Sequence, residues 1–163
     1  MRESHISSLA VATPEAMREL GNRIGRMLLE HQGPALCIAI EGELGAGKTT
    51  FVSGVLGSAG VLGPVRSPTY TLIEPYELAG RSLYHLDLYR LTDPSEIEPL
   101  GLRDLLTPGS ILLIEWPSRA EGRIPPPDLA LAIEYLDPPQ DGRRVRITAG
   151  SPEVAELLRR LLR

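Results

Sequence analysis

Apolar residues recur at helical spacing from Met17 through Leu20, Ile24, Met27 and Leu28. This predicts a helix with one stripe turned to a core. Thr13 supplies its cap and Pro14 its first helical residue, and Gly33-Pro34 stops it. The pattern then changes. Residues 35–41 (ALCIAIE) are a short apolar run, the pattern of a strand buried on both faces of a parallel sheet. A second helix is predicted from Lys48 to about Ala59, broken by Gly60, Gly63 and Pro64. Residues 67–75 read as extended, and 82–88 (SLYHLDL) and 110–116 (SILLIEW) as further core strands. Between those strands Asp93-Pro94 starts a short helix, which Pro99 and Gly101 should interrupt and residues 102–106 resume.

Towards the C-terminus, Pro125, Pro126 and Pro127 stiffen a surface loop before a fourth core strand at 129–135. Residues 137–142 are rich in turn formers. Residues 144–148 alternate charged and apolar, which predicts an antiparallel edge strand paired with 129–135. Ser151 caps a last helix over 152–162. Strands interleaved with helices predict one α/β domain over residues 1–163. It should have three layers, a mostly parallel central sheet and an antiparallel edge near the C-terminus.

Composition narrows the partners. Aromatics are only 4% of the chain, so aliphatic side chains must build the core. A net charge of −4 argues against tight independent binding of nucleic acid, which needs a basic footprint. The lone Cys37 lies in an apolar run and can form no internal disulfide, which points to a reducing compartment. No apolar run reaches the ~20 residues that span a membrane, and no signal-peptide pattern opens the chain. A cytoplasmic protein without membrane contact is expected.

The chemistry begins at Gly42-Glu43-Leu44-Gly45-Ala46-Gly47-Lys48-Thr49, a full match to G-x-x-x-x-G-K-[ST]. It joins a predicted strand to a predicted helix, as a P-loop NTPase fold requires. The loop N–H groups and the positive end of the helix bind phosphates. Lys48 reaches the β- and γ-phosphates, and the Thr49 hydroxyl ligates magnesium. Glu43 through Thr50 therefore form the expected nucleotide-binding stretch. No Asn-Lys-x-Asp guanine-reading motif is present, which favours ATP.

Two acids end predicted core strands, where ligands of open α/β sheets gather. Glu115 follows four aliphatics in a Walker B-like pattern, or is simply a solvated strand end. Asp87 either faces the loop, caps a turn or pairs with Arg90. The interval containing Ser67, Thr69 and Thr71 is where related enzymes sense the γ-phosphate. Thr69 there is either a magnesium or phosphate contact or part of a plain connection. His85 reads as a satisfied core histidine before a catalytic one. Trp116 either stacks near the nucleotide or covers a strand end. Arg119 and Arg123 are either solvated or meet a partner or a phosphate.

The segments GELGAGKTTF (42–51), RSPTYTLIEPYE (66–77), YHLDLYRLTDPSEIEPLGLRDLL (84–106) and LLIEWPSRAEGRIPPPDL (112–129) together resemble the bacterial TsaE proteins. These are the ATPase components of tRNA threonylcarbamoyladenosine synthesis. The resemblance implies a weak P-loop ATPase stimulated by TsaD-like and TsaB-like partners. The TsaD-like partner transfers the threonylcarbamoyl group to adenosine 37 of tRNAs reading codons that begin with A, so tRNA is met through the complex. It also implies Lys48 and Thr49 as phosphate and magnesium ligands and Glu115 as the second magnesium-site acid. By the same resemblance Asp87 would support hydrolysis, Ser67 to Thr71 would form a switch, and the Thr13-Pro14 turn would lie near the base. The segment after Asp93 departs from the family because of Pro99, and the tail after Tyr135 matches it poorly. Two other readings stay open: a small-molecule kinase, with Arg119 and Arg123 as lid arginines, and a nucleotide-gated binding module that does not need hydrolysis.

Overall fold

The computed structural model describes residues 6–68, 70–78 and 80–163. Among the described residues seven strands form one sheet in the order β1-β7-β6-β2-β5-β4-β3. The strands are β1 (Ile6–Val11), β2 (Leu36–Gly42), β3 (Ile73–Leu78), β4 (Arg81–Asp87), β5 (Ile111–Glu115), β6 (Leu129–Tyr135) and β7 (Arg143–Ala149). The helices are α1 (Pro14–Glu30), α2 (Lys48–Ser58), the single turn α3 (Leu102–Leu105) and α4 (Pro152–Leu161).

The middle strands β6, β2, β5 and β4 run parallel. β2 is buried along its apolar run because both of its faces are covered. Leu36, Ile38 and Ile40 point to the core shared with α1, α2 and α4, whereas Cys37 joins Leu112, Ile114 and Leu86 on the opposite face. That second face is covered over β5 and β4 by α3 and two 3-10 segments. At β6 and β7 it stays open, with Glu134, Arg144 and Arg146 half-buried or exposed. Among the described residues no helix is long and apolar enough to cross a membrane.

Four expectations need correction. Antiparallel pairing is not confined to one edge: β1 pairs β7 and β7 pairs β6 on one flank, and β3 pairs β4 on the other. Residues 143–149 are consequently not the edge strand, because β1 lies outside them. The extended stretch predicted at 67–75 forms a strand only from Ile73. A turn precedes it, with the Leu72 N–H bonded to the Pro68 carbonyl. Pro99 does not interrupt its segment either. Residues 94–100 form a 3-10 helix capped by a reciprocal Asp93–Glu96 box. The tighter winding avoids the clash with the i−4 carbonyl that proline makes in an α-helix. Gly101, at φ 62°, ends it.

Parallel register gathers the chemistry. Ile40 stands opposite Glu115, and Glu115 stands opposite Asp87. The C-terminal ends of β2, β5 and β4 thus meet at one rim of the sheet, where the glycine loop turns into α2.

Candidate functional site: the phosphate-loop cleft

Gly45 and Gly47 adopt left-handed backbone at φ 77° and 112°, conformations that favour glycine. Gly47 sits immediately before Lys48, the first residue of α2. Lys48 is buried, and its ammonium donates to the carbonyls of Gly42 (2.6 Å) and Glu43 (2.8 Å). It also lies 4.2 Å from the ring centre of Trp116. Burial holds the Lys48 ammonium below its usual range, against the charges of Glu115, Asp87 and Glu41. Its direct contacts are two carbonyls and a ring, so the ammonium has no anion in hydrogen-bond contact and can exchange the carbonyls for an anionic ligand.

Facing it are the two acids. Glu115 is 2% exposed. It accepts from the Thr49 hydroxyl at 3.0 Å, from the Ser67 hydroxyl at 3.2 Å and from His85 Nε2 at 2.5 Å. Asp87 accepts from the Tyr89 backbone N–H at 3.0 Å, so the turn-capping alternative holds, and it lines the cleft as well. Burial pushes the Asp87 carboxyl up, and the charge of Glu115 adds to the effect. A cleft of about 380 Å³ is lined by Lys48, Thr49, Ser67, Asp87, Glu115 and Trp116.

The hydroxyl and carboxylate oxygens of Thr49 and Glu115 are hard donors of the kind magnesium takes. Among the described residues no group of three or more His, Cys, Asp or Glu could hold a metal alone. Magnesium in phosphate sites instead uses one or two carboxylates together with the substrate phosphates, so the donor set fits that ion.

Trp116 adopts φ 57°, uncommon for a bulky residue. The turn sets its ring over Lys48 and 4.9 Å from Tyr89. Trp116 therefore covers the site rather than a bare strand end. Arg119 lies over the rings of Tyr89 and Trp116, and Arg123 pairs with Glu98. Thr69 lies outside the described residues.

A second hollow of about 130 Å³ meets the loop at Gly45 and Gly47, between Thr13, Pro14, Met17, Thr50 and Arg143. Pro14 is thus beside the loop, as is Thr50, which lines both cavities. Leu44 is exposed, whereas Ala46 is buried in the core.

Sequence reasoning misjudged two participants and missed a third. His85 is buried but not merely a core residue, since it holds Glu115. Arg90 lines the cleft with its guanidinium over Tyr70. Arg143 reaches the loop from the tail that carried no recognisable motif. The only early signal was placement of His85 two residues before Asp87 on one strand, which puts both side chains on one face.

A family model described as Threonylcarbamoyl adenosine biosynthesis protein TsaE matches residues 11–145. The chain belongs to the TsaE family. The tRNA threonylcarbamoyladenosine biosynthesis protein TsaE of Haemophilus influenzae is 43% identical over 135 residues, covering 82% of this chain and 84% of that protein. The protein of the same name from Bacillus subtilis is 35% identical over 126 residues, 77% of each chain. The crystal structure of YdiB from Bacillus subtilis superposes with a TM-score of 0.74 at 25% identity, covering 99% of this chain and 97% of that one. The family match spans the loop, both acids and Arg143, so the TsaE likeness includes the whole rim.

Proposed function

We propose that this TsaE-family chain is a P-loop ATPase that serves tRNA threonylcarbamoyladenosine synthesis. Its partners would be TsaD-like and TsaB-like proteins. The partner complex, not this chain, would transfer the threonylcarbamoyl group to adenosine 37. The observation that carries the reading is the meeting of Lys48 and Thr49 at the start of α2 with buried Asp87 and Glu115 on adjacent parallel strands. A strand–loop–helix at the centre of a parallel set, with helices packed on one face, is read here as a P-loop NTPase core. The relatives' printed names support the pathway, and the net charge of −4 supports tRNA contact through partners rather than alone.

In this reading the loop N–H groups and the N-terminus of α2 receive the phosphates. Lys48 exchanges the Gly42 and Glu43 carbonyls for β- and γ-phosphate oxygens, which relieves its desolvation. Thr49 and Glu115 would hold magnesium, which neutralises charge developing between the β- and γ-phosphates. His85 fixes the Glu115 carboxylate. Asp87 positions the attacking water, whose oxygen joins the γ-phosphorus as the bond to the β,γ-bridging oxygen breaks. ADP and inorganic phosphate leave, and the water's protons pass to phosphate and solvent. The base would occupy the hollow beside Pro14.

The kinase reading gains no support from its two lid candidates, since Arg123 is paired with Glu98 and Arg119 lies over the Tyr89 and Trp116 rings. Two variants test the main reading. Lys48→Ala should abolish ATP binding in titration calorimetry. Glu115→Gln should bind ATP yet release phosphate at least about a hundredfold more slowly, the scale of one lost transition-state contact. Full multi-turnover tRNA modification by a non-hydrolysing Glu115→Gln protein would instead favour the nucleotide-gated module.

A further inference from the structure

The glycine loop is held from outside as well as from within. Lys48 binds the Gly42 and Glu43 carbonyls. The next three carbonyls are taken by two side chains from the β6–β7 hairpin. Tyr135 donates its hydroxyl to the Leu44 carbonyl at 3.0 Å. Arg143 donates Nε to the Ala46 carbonyl at 3.1 Å and Nη2 to the Gly45 carbonyl at 3.4 Å. Arg143 is itself fixed by Nη1 on the Gly142 carbonyl at 2.9 Å and by the Tyr135 ring, 4.0 Å from the guanidinium. Every carbonyl from Gly42 to Ala46 therefore accepts from a side chain.

A trans peptide is planar, so its N–H points opposite to its C=O. Drawing the Leu44 carbonyl towards Tyr135 turns the Gly45 N–H the other way. Drawing the Ala46 carbonyl towards Arg143 does the same for the Gly47 N–H. Glycines on both sides leave the backbone few steric constraints of its own, so an external restraint is needed to keep one orientation.

Resting on the nucleotide reading above, we propose that Arg143 and Tyr135 are positioning residues. They hold the Leu44 and Ala46 carbonyls outward so that the Gly45 and Gly47 N–H groups are aimed at the phosphates before ligand arrives. Arg143 also walls the 130 Å³ hollow with Pro14 and Thr50, so one guanidinium touches both the phosphate loop and the neighbouring pocket.

The test compares ATP with inorganic tripolyphosphate, each with magnesium, in titration calorimetry on wild type, Arg143→Ala, Arg143→Lys and Tyr135→Phe. Thermal melts run alongside. Tripolyphosphate has no base, so a residue that only lines the pocket leaves its affinity unchanged. Aiming the loop predicts that Arg143→Ala weakens both ligands about tenfold, the scale of losing charged hydrogen bonds. Tyr135→Phe, which lies outside the hollow, should weaken tripolyphosphate severalfold without lowering the melting temperature. Arg143→Lys should recover only part of the loss, because an ammonium lacks the planar fork. Unchanged tripolyphosphate affinity in Arg143→Ala and Tyr135→Phe overturns the proposal while leaving the nucleotide reading intact. Should Arg143→Ala not fold, Tyr135→Phe alone decides. A wild-type protein that binds neither ligand overturns the nucleotide reading itself.

Discussion

Glu115 is a buried carboxylate that accepts from Thr49, Ser67 and His85 at once. His85 meets it through Nε2, and the ring's Nδ1 has no partner among the described residues. Removing the ring should free the carboxylate to rotate. His85→Ala is expected to slow phosphate release about 10–100-fold, the range seen when a ligand's supporting partner is lost. ATP affinity should change far less, and comparing single-turnover rates with binding isotherms checks the difference. Cys37 shows how burial alone acts. It donates weakly to the Pro125 carbonyl, and burial, with the nearby Asp128, pushes its thiol up to about 12. Alkylating reagents at pH 8 should therefore label it only after unfolding. Its folded pKa lies above the unfolded value of about 8.5, so its contribution to stability is complete below that pH. It is lost as pH rises towards 12, at up to about 1.4 kcal/mol per unit. Denaturant melts between pH 9 and 11 should fall more steeply for wild type than for Cys37→Ala. Equal slopes would contradict this.

Among elements, α1 and α2 meet through glycines. A Cβ on Gly21 would stand 2.1 Å from the Phe51 carbonyl oxygen, and one on Gly54 2.0 Å from that of Arg18. Both obstacles are backbone, so the helices cannot approach this closely with any side chain there. Gly54→Ala gains about 1 kcal/mol of helix propensity but overpacks the interface by about 3 kcal/mol. A drop in melting temperature of about 4–8 °C is expected, and an unchanged value would contradict the packing. The helices themselves were legible because their signals are local: Thr13-Pro14 and Ser151-Pro152 open α1 and α4, each capped by its hydroxyl. The buried strands were legible from their apolar runs. β1 was not, because an edge strand reading ISSLAV, mostly half-exposed, carries too few buried positions to show a period. Its absence from the reading also misplaced the sheet edge. The loop, Asp87 and Glu115 were readable because motif and strand end lie within a few residues. The Glu115–His85 contact and the Arg143 grip on the loop span 30 and 97 residues. They exist only once register and strand order are known.

At the scale of the whole molecule, the sheet brings four distant segments to one rim and covers its helical face with α1, α2 and α4. The phosphate-loop cleft lies at that rim, with the tilted Trp116–Tyr89 ring pair and Arg119 beside it. The proposed ATPase, acting on a complex rather than on RNA alone, is in keeping with a cleft that gathers Lys48, Thr49, Asp87 and Glu115 and with a net charge of −4. Slow intrinsic hydrolysis raised by partners is the expected behaviour of such a core. The most direct test measures phosphate release from ATP by the purified protein, with and without the TsaD-like and TsaB-like pair. The account predicts weak release alone, marked stimulation by the pair, and loss of both in Lys48→Ala. No stimulation under conditions where the complex demonstrably forms would contradict it.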